Sequence, residues 1–229
     1  MGVGGGSARS GRADRWGATS LPGPIPAHLV AGAADDLERD GWAEQLTFDG
    51  IDLSGADLSG VSVAECRFSR VAADGLVLRG GDVARVEVEG VQAAELAMPE
   101  SGVREVTVRG CRVGALEAWS IESRGVLVEG SRLDFVNLRG AHLVDVTWRD
   151  CRFGELDLGE ARLERVTFEG CTVDALRLGR ARLERVDMRG LDIAELHGAD
   201  GLRGAMLSSE QVMRLADSLA RHLGVTVAG

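Results

Sequence analysis

The chain has 229 residues, 45% of them hydrophobic, which is enough for one domain with a continuous core. All 26 basic residues are arginines, and 36 acidic residues leave a net charge of −10, which disfavours direct binding to nucleic acid. No apolar run approaches the length of a membrane span, and residues 1–20 lack the hydrophobic segment of a secretory signal. We therefore expect a cytoplasmic protein that contacts neither membrane nor DNA directly.

The first 45 residues differ in composition from the rest of the chain. Residues 1–20 are rich in Gly, Ser and Arg, a composition typical of a disordered tail. Three prolines punctuate residues 21–26, and residues 27–42 have room for one short helix. We interpret residues 21–45 as an N-terminal cap.

A five-residue period then runs through residues 46–196 without a slip in register. Residue numbers that end in 3 or 8 are mostly large and apolar, as at Phe48, Leu58 and Phe168, and numbers that end in 1 or 6 form a second row of small or apolar residues. This period matches neither a helix nor a flat strand, so it indicates a repeat architecture.

A second period of twenty residues is superimposed on the first. The segment 104–111 recurs with changes at 124–131, 144–151, 164–171 and 184–191. Four pentapeptides therefore make one turn, and residues twenty apart should stack about 4.8 Å apart, as neighbouring strands do. Each turn would satisfy its backbone groups against the turns above and below.

Residues 51–60 carry a recognisable motif. The run Ile51-Asp-Leu-Ser-Gly-Ala56-Asp-Leu58 resembles the Ala-Asp/Asn-Leu-x-x signature of the pentapeptide-repeat family, and Ala141-His-Leu143 and Ala161-Arg-Leu163 match it more loosely. The resemblance implies an all-β solenoid over residues 46–203, a right-handed quadrilateral β-helix of about seven to eight coils, followed by a C-terminal α-helix.

The C-terminal segment, residues 204–229, contains the clearest helical pattern. Ser208 and Gln211 form a capping box, and Gly224 ends the helix. One face is apolar, and it is made of Val212, Leu215, Ala216, Leu219 and Leu223. We expect this stripe to close the end of the β-helix. The alternative is a homodimer interface, because this ending resembles the dimer module of the fluoroquinolone-resistance group of the family, the Qnr and MfpA proteins.

The sequence offers little catalytic chemistry. The four cysteines, at 66, 111, 151 and 171, fall on inward rows, and the four histidines have no metal-ligand spacing with them. Walker, dinucleotide and nucleophile-elbow motifs do not occur. We therefore expect no enzymatic activity, no cofactor and no metal.

The charge on the exterior of the coil supports two interpretations of its function. Residues 46–200 contain 28 acidic residues against 19 arginines, and resemblance to the gyrase-binding members of the family implies a rod that imitates DNA. However, the charge of every twentieth residue from Glu89 to Arg189 alternates in sign. Arg112, Arg132 and Arg152 form a separate basic column. Mixed columns of this kind are also typical of a solvated surface.

One stretch departs from this charged pattern. Pro99, Trp119 and Arg139 fall in a single outward column, with Phe135 on a nearby one. Exposed aromatic residues beside arginine are enriched at protein interfaces, so we take these four as a candidate partner site. The alternative is that Trp119 lies flat over a thin part of the core. We therefore expect a non-enzymatic binding protein. The resemblance to the gyrase-binding members of the family implies DNA gyrase or another topoisomerase as partner; the alternative is a general interaction scaffold.

Overall fold

The computed structural model describes residues 20–226. It is a β-solenoid of about nine turns, in which parallel strands stack along one axis. In chain order the strands are β1 (Val30–Ala31), β2 (Trp42–Glu44), β3 (Leu46–Asp49), β4 (Ser62–Ala64), β5 (Arg67–Ser69), β6 (Leu76–Val77), β7 (Asp82–Ala84), β8 (Glu87–Glu89), β9 (Gln92–Ala97), β10 (Gly102–Arg109), β11 (Arg112–Glu117), β12 (Glu122–Glu129), β13 (Arg132–Asn137), β14 (His142–Arg149), β15 (Arg152–Asp157), β16 (Arg162–Glu169), β17 (Cys171–Arg177), β18 (Arg182–Glu184), β19 (Val186–Asp187), β20 (Leu191–His197) and β21 (Ala205–Met206).

The twenty-residue register expected from the sequence is confirmed. Val106 pairs with Val126, which pairs in turn with Val146, and the same step relates the strands of the opposite sheet. Those two sheets contain fourteen and seven of the described strands. The separation of twenty residues between paired residues changes only at the two ends of the coil, where Val30 pairs with Leu46 and Val186 pairs with Ala205.

The corners of the coil follow the five-residue period. In the first turns the backbone is left-handed at successive multiples of five, as at Gln45, Gly50 and Gly55, which gives four corners for every twenty residues. From residue 95 onward one corner in each turn loses this conformation, because strands such as β9 and β11 continue straight through it. The later turns therefore have longer continuous ladders than the earlier ones.

The N-terminal end differs from its prediction. The coil begins at β1 rather than at residue 46, so there are about nine turns instead of seven to eight. Residues 27–42 contain one short 3-10 helix, Ala34–Asp36, and no α-helix. Leu37 joins the core from this segment, and Gly32 lies so close to the ring of Phe48 that a Cβ would come within 2.5 Å of it. The repeat pattern did not predict this first turn, because the residues that cover the open end of the coil do not follow the pattern.

The two inward rows form the core, as the pattern predicts. Phe48 and Phe168 are 0% and 2% exposed, and the rings of Phe48 and Phe68 stack with centroids 4.8 Å apart. Inward positions of successive turns lie above one another, so this apolar column extends through the solenoid. The predicted fold class is confirmed.

The C-terminal helix is present but broken. Two short helices, α1 (Ser209–Arg214) and α2 (Ala216–His222), meet at Leu215, which leaves the helical conformation. The capping box is confirmed, since Ser208 Oγ accepts from the Gln211 N–H at 3.2 Å and Gln211 Oε1 accepts from the Ser208 N–H at 2.7 Å. The break lets Leu215 turn into the core, where it is 3% exposed.

Candidate interaction surfaces

The alternating column beginning at Glu89 forms ion pairs between turns, as its order of charges predicts. Arg149 reaches Glu129 at 3.3 Å and Glu169 at 2.7 Å, and Arg109 reaches Glu129 at 3.2 Å. Hydrogen bonds from Arg109 and Arg149 hold the pKa of Glu129 below its usual value. Because such exposed pairs contribute about 0–1 kcal/mol each, their main effect is to cancel the local field.

A different part of the coil carries only acidic charge; it is a corner in the first turns and lies within straight strands from residue 95 onward. We number positions within the twenty-residue period so that residues 74 and 94 occupy position 14 and residues 75 and 95 occupy position 15. These two positions contain no basic residue between residues 74 and 195. The carboxylates there, which we call the acidic stripe, are Asp74, Glu95, Asp134, Glu155, Asp174 and Glu195. All are exposed except Glu155, which is half-buried. Sequence reasoning missed this stripe, because its members alternate between two columns and neither column is continuous by itself.

The members of the acidic stripe differ in how far they are neutralised. Asp134 pairs with Arg132 at 2.8 Å and Glu155 pairs with Arg177 at 2.6 Å. Asp74, Glu95 and Asp174 form no ion pair with any residue in the range 20–226. The net acidic potential of the stripe is therefore concentrated toward its two ends.

A column of three arginines borders the middle of the acidic stripe. Arg112 pairs in register with Arg132, which pairs with Arg152, and all three are exposed. They stand on the same strands, two to three residues before the stripe positions. Like charges stacked on neighbouring strands repel one another. The pairing of Arg132 with Asp134 relieves part of that repulsion.

The predicted partner site is divided between one corner of the coil and the strand β13. The carbonyls of Trp119 and Arg139 accept hydrogen bonds from the preceding turns in the same pattern, from the N–H groups of Glu100 and Ser120, so these residues share one column. Pro99 belongs to that column but is buried, whereas Trp119 is half-buried and Arg139 is exposed. Phe135 instead stacks between Ala115 and Glu155, within the acidic stripe. The structure thus does not bring all four residues together.

Trp119 is covered by an arginine of the same column, two turns earlier in the chain. The guanidinium carbon of Arg79 lies 5.1 Å from the centre of the Trp119 ring, and Arg79 also pairs with Glu100 at 3.2 Å. A cation over the face of tryptophan is attracted by the ring quadrupole. Arg79 therefore covers one face of the ring, and Trp119 remains half-buried at this corner.

The C-terminal apolar stripe is divided between closing the coil and facing outward. Leu215 is buried and Leu219 packs against the core. Val212, Ala216 and Leu223 are exposed. The expectation that the stripe closes the end therefore holds for two of its five members, and the other three remain available to a partner.

Gln211, rather than an apolar residue, makes the most specific contact at this end. Its side chain is 3% exposed, and Nε2 donates to the carbonyl oxygens of Met188 and Leu191, both at 2.7 Å. One amide thus satisfies acceptors of the last turn and completes the capping box of α1. The sequence identified the capping box but gave no signal for these two further bonds.

Groups suited to catalysis do not converge in the described part of the chain. All four cysteines are buried free thiols, and burial raises the pKa of Cys66 and Cys111. No three His, Cys, Asp or Glu side chains within residues 20–226 are placed to hold a metal ion. In the same range no helix is long and apolar enough to cross a membrane.

A cavity of about 250 Å³ lies inside the earlier turns. Its lining is apolar apart from Ser123 and includes Val83, Val103 and Val113. The central inward positions between residues 73 and 128 hold mostly small side chains, whereas those from Leu133 to Met188 are larger. The earlier half of the tube is therefore packed less tightly than the later half, and its interior has no polar cluster for chemistry.

Replacing Ser123 by Val should stabilise the protein by about 1 kcal/mol, because added methyl groups fill part of this cavity. Chemical denaturation measures the change. Ser101→Val is the matched control, since Ser101 is also inward but donates to Leu78 O at 2.7 Å, so its loss should destabilise the protein by about 1 kcal/mol. Equal changes at the two positions would contradict the packing argument.

One family model matches the middle of the solenoid. The model of the family described as pentapeptide repeats matches residues 131–170 with eight copies. The same register continues on both sides of that segment through the stacked turns. Residues 131–170 therefore contain pentapeptide repeats, as the sequence motif predicts.

Two solved structures show similarity to the chain. HetL, a pentapeptide repeat protein involved in heterocyst differentiation regulation from the cyanobacterium Nostoc sp., is 17% identical, with a TM-score of 0.42 over 75% of this chain and 91% of HetL. A trypsin-treated form of QnrB1, a plasmid-mediated fluoroquinolone resistance protein, is 20% identical, with a TM-score of 0.35 over 83% of this chain and 91% of QnrB1. No curated protein matches the sequence.

Proposed function

We propose that this protein is a non-enzymatic cytoplasmic binding protein whose acidic stripe engages a basic, DNA-binding surface of a partner protein. The specific candidate is DNA gyrase or a related topoisomerase. The observation that carries the proposal is the acidic stripe, which has no basic residue in either of its two positions over seven turns. We name DNA gyrase as the partner because the sequence resembles the gyrase-binding members of the family.

The dimensions of the acidic stripe suit this role. From Asp74 to Glu195 the stripe spans six steps between turns, or about 29 Å at the strand spacing. DNA carries a phosphate about every 3.4 Å along each strand, so this length corresponds to about eight or nine base pairs. A row of carboxylates repels DNA and attracts the surface that binds DNA.

The remainder of the exterior explains why the acidic stripe would dominate recognition. The column that contains Glu129 and Arg149 neutralises itself through ion pairs between turns. The electric field that attracts a basic partner therefore comes from the carboxylates without ion pairs, Asp74, Glu95 and Asp174. Phe135, half-buried between Ala115 and Glu155, adds an aromatic contact within the same surface.

A homodimer formed through the C-terminal helices would extend this surface. Val212, Ala216 and Leu223 are exposed on α1 and α2 and are not used in closing the coil. A two-fold contact between copies would bury them and place two acidic stripes on one particle. This arrangement is part of the proposal, and sedimentation at micromolar concentration distinguishes dimer from monomer.

Inhibition of gyrase supercoiling by the purified protein tests the function. We expect inhibition by the unmodified chain, and at least a tenfold weaker effect when Asp74→Asn, Glu95→Gln and Asp174→Asn are combined. The matched control combines Glu44→Gln, Glu122→Gln and Glu184→Gln, which removes the same charge from exposed positions on another side. Similar losses in both triple variants would mean that only net charge matters. No inhibition by the unmodified chain would exclude gyrase as partner.

A general interaction scaffold is the second candidate, and the half-buried ring of Trp119 favours it. Under this alternative, Trp119→Ala would abolish capture of a partner, whereas the triple change in the acidic stripe would leave capture intact. The opposite pattern supports the acidic stripe as the binding surface. Comparing the two variants in one pull-down therefore separates the candidates.

A further inference from the structure

A groove on the outside of the coil lies between stacked glycine corners and stacked arginines. Gly90, Gly110 and Gly130 occupy the same corner of successive turns, each with left-handed backbone. Arg112 and Arg132 stand two residues after the second and third of these corners and line the same groove, whose volume is about 240 Å³. We call it the glycine groove, and the proposed function does not use it.

The glycine groove is open because these corners lack side chains. A Cβ on Gly110 or Gly130 would meet no heavy atom within 4 Å. The corner does not require glycine, since Arg70 and Asp150, the next residues of the column on either side, adopt the same left-handed conformation. Their side chains bound the groove at its two ends, so it spans three turns and is about 10 Å long.

The basic charge in the glycine groove is poorly neutralised. Arg112 forms no ion pair with any residue in the range 20–226, although it stacks in register with Arg132 and both are exposed. Arg132 pairs with Asp134 at 2.8 Å, but both side chains are more than half exposed, so water screens that pair. Because like charges on neighbouring strands repel each other, an anion between the two arginines would relieve this repulsion.

The acidic residues around the glycine groove leave its middle positive. Glu129, on the far side of the glycine corners, is already paired with Arg109 at 3.2 Å. Glu89 and Asp150 have no ion pair with residues 20–226, but they lie at the two ends of the groove. The Asp150 carboxylate also leans away from the groove, since a Cβ on Gly170 would come within 2.5 Å of it. The potential is therefore most positive between the two arginines.

We propose that the glycine groove binds a phosphate-type dianion between the guanidinium groups of Arg112 and Arg132. Guanidinium is planar and donates two parallel hydrogen bonds to phosphate oxygens, which suits it to this ligand. Gln92 stacks below Arg112 in register, is exposed and lines the same groove, so its amide supplies a further donor. The N–H groups of Gly110 and Gly130 already donate to carbonyls of the following turns, so side chains hold the anion.

The size of the glycine groove limits the ligand to a small one. Free phosphate and the phosphoryl group of a small phosphomonoester share the required chemistry, and both fit a length of about 10 Å. A nucleic acid strand would extend past the ends of the groove and meet the carboxylates of Glu89 and Asp150, which repel it.

Titration of the nitrogen-15-labelled full chain with inorganic phosphate, followed by amide chemical shifts, tests the site. We expect saturable shifts that are largest at Gly110, Arg112 and Gly130. Combining Arg112→Gln with Arg132→Gln should weaken binding about tenfold, because both charge-assisted contacts are lost. The matched control combines Arg162→Gln with Arg182→Gln, which are also exposed and stacked in register but lie outside the groove. It removes the same charge and should change binding by less than about twofold.

A second pair of variants tests the groove itself without changing its charge. Gly110→Asn should weaken phosphate binding by about tenfold, because asparagine tolerates left-handed backbone and its side chain would fill the open space. Gly50→Asn is the control, since Gly50 belongs to the same column, has a φ of 66° and is equally open, but lies two turns before Gly90. We expect it to leave phosphate binding unchanged.

Phenyl phosphate distinguishes the two sources of the anion. Shifts of the same amides by phenyl phosphate would show that a phosphomonoester is accepted, and shifts by inorganic phosphate alone would assign the site to the free anion; either result supports the proposal. Three outcomes would overturn it. These are the absence of saturable shifts at millimolar phosphate, equal losses in the two double-arginine variants, and tighter binding of a DNA oligonucleotide with shifts that continue past Asp150.

Discussion

Phe168→Ala should lower the free energy of unfolding by about 3–5 kcal/mol, which is among the largest effects expected in this protein. The ring is 2% exposed and lies on the inward row, in register with Trp148. Its removal leaves a cavity in the tightly packed half of the tube, where stacked turns above and below hold the walls apart. Urea denaturation followed by circular dichroism measures the loss.

Phe135→Ala provides the matched control for that measurement. The same atoms are removed, but Phe135 is a half-buried outward residue, so we expect a loss of only about 1 kcal/mol. A loss at Phe135 as large as that at Phe168 would mean that the inward row is not the main source of stability.

Gln211→Leu should cost about 2–4 kcal/mol, although leucine is similar in size and more apolar. The change removes the hydrogen bonds to Met188 O and Leu191 O and half of the capping box at Ser208. Buried acceptors that lose their donor are costly, and loss of a cap adds to this. Hydrogen exchange should show the largest acceleration in α1 and in the last turn.

Gln92→Leu is the corresponding control, because Gln92 is an exposed residue on β9. We expect its effect on stability to stay within about 0.5 kcal/mol. If Gln211→Leu were equally mild, then the terminal helix would be held by its apolar contacts rather than by this buried amide.

The repeat explains why so much of the fold was predictable. A five-residue period requires inward side chains at regular positions, and Phe48 and Phe168 could be placed in the core from their residue numbers alone. The twenty-residue period predicted the pairing of Val106 with Val126 for the same reason. The capping box at Ser208 and Gln211 was also readable, because it depends only on residues three apart.

The candidate surfaces were less predictable. Columns of residues twenty apart identified the ladder through Glu129. The acidic stripe instead spans two adjacent columns, and its members come close together only because successive turns stack on one another. The predicted site around Trp119 was divided because Phe135 lies within β13, away from the corner that holds Arg139. Pro99 was expected to face outward, yet it is buried.

The sequence alone determined the architecture of this protein, because a strict period repeats the same local environment in every turn. It also determined which residues line the axis. Only the tertiary structure decided what happens where that period ends: the first turn at Val30, the break at Leu215 that buries it, and the position of Ser20 beside Gly125. Those contacts join residues far apart in the chain, and no local pattern encodes them.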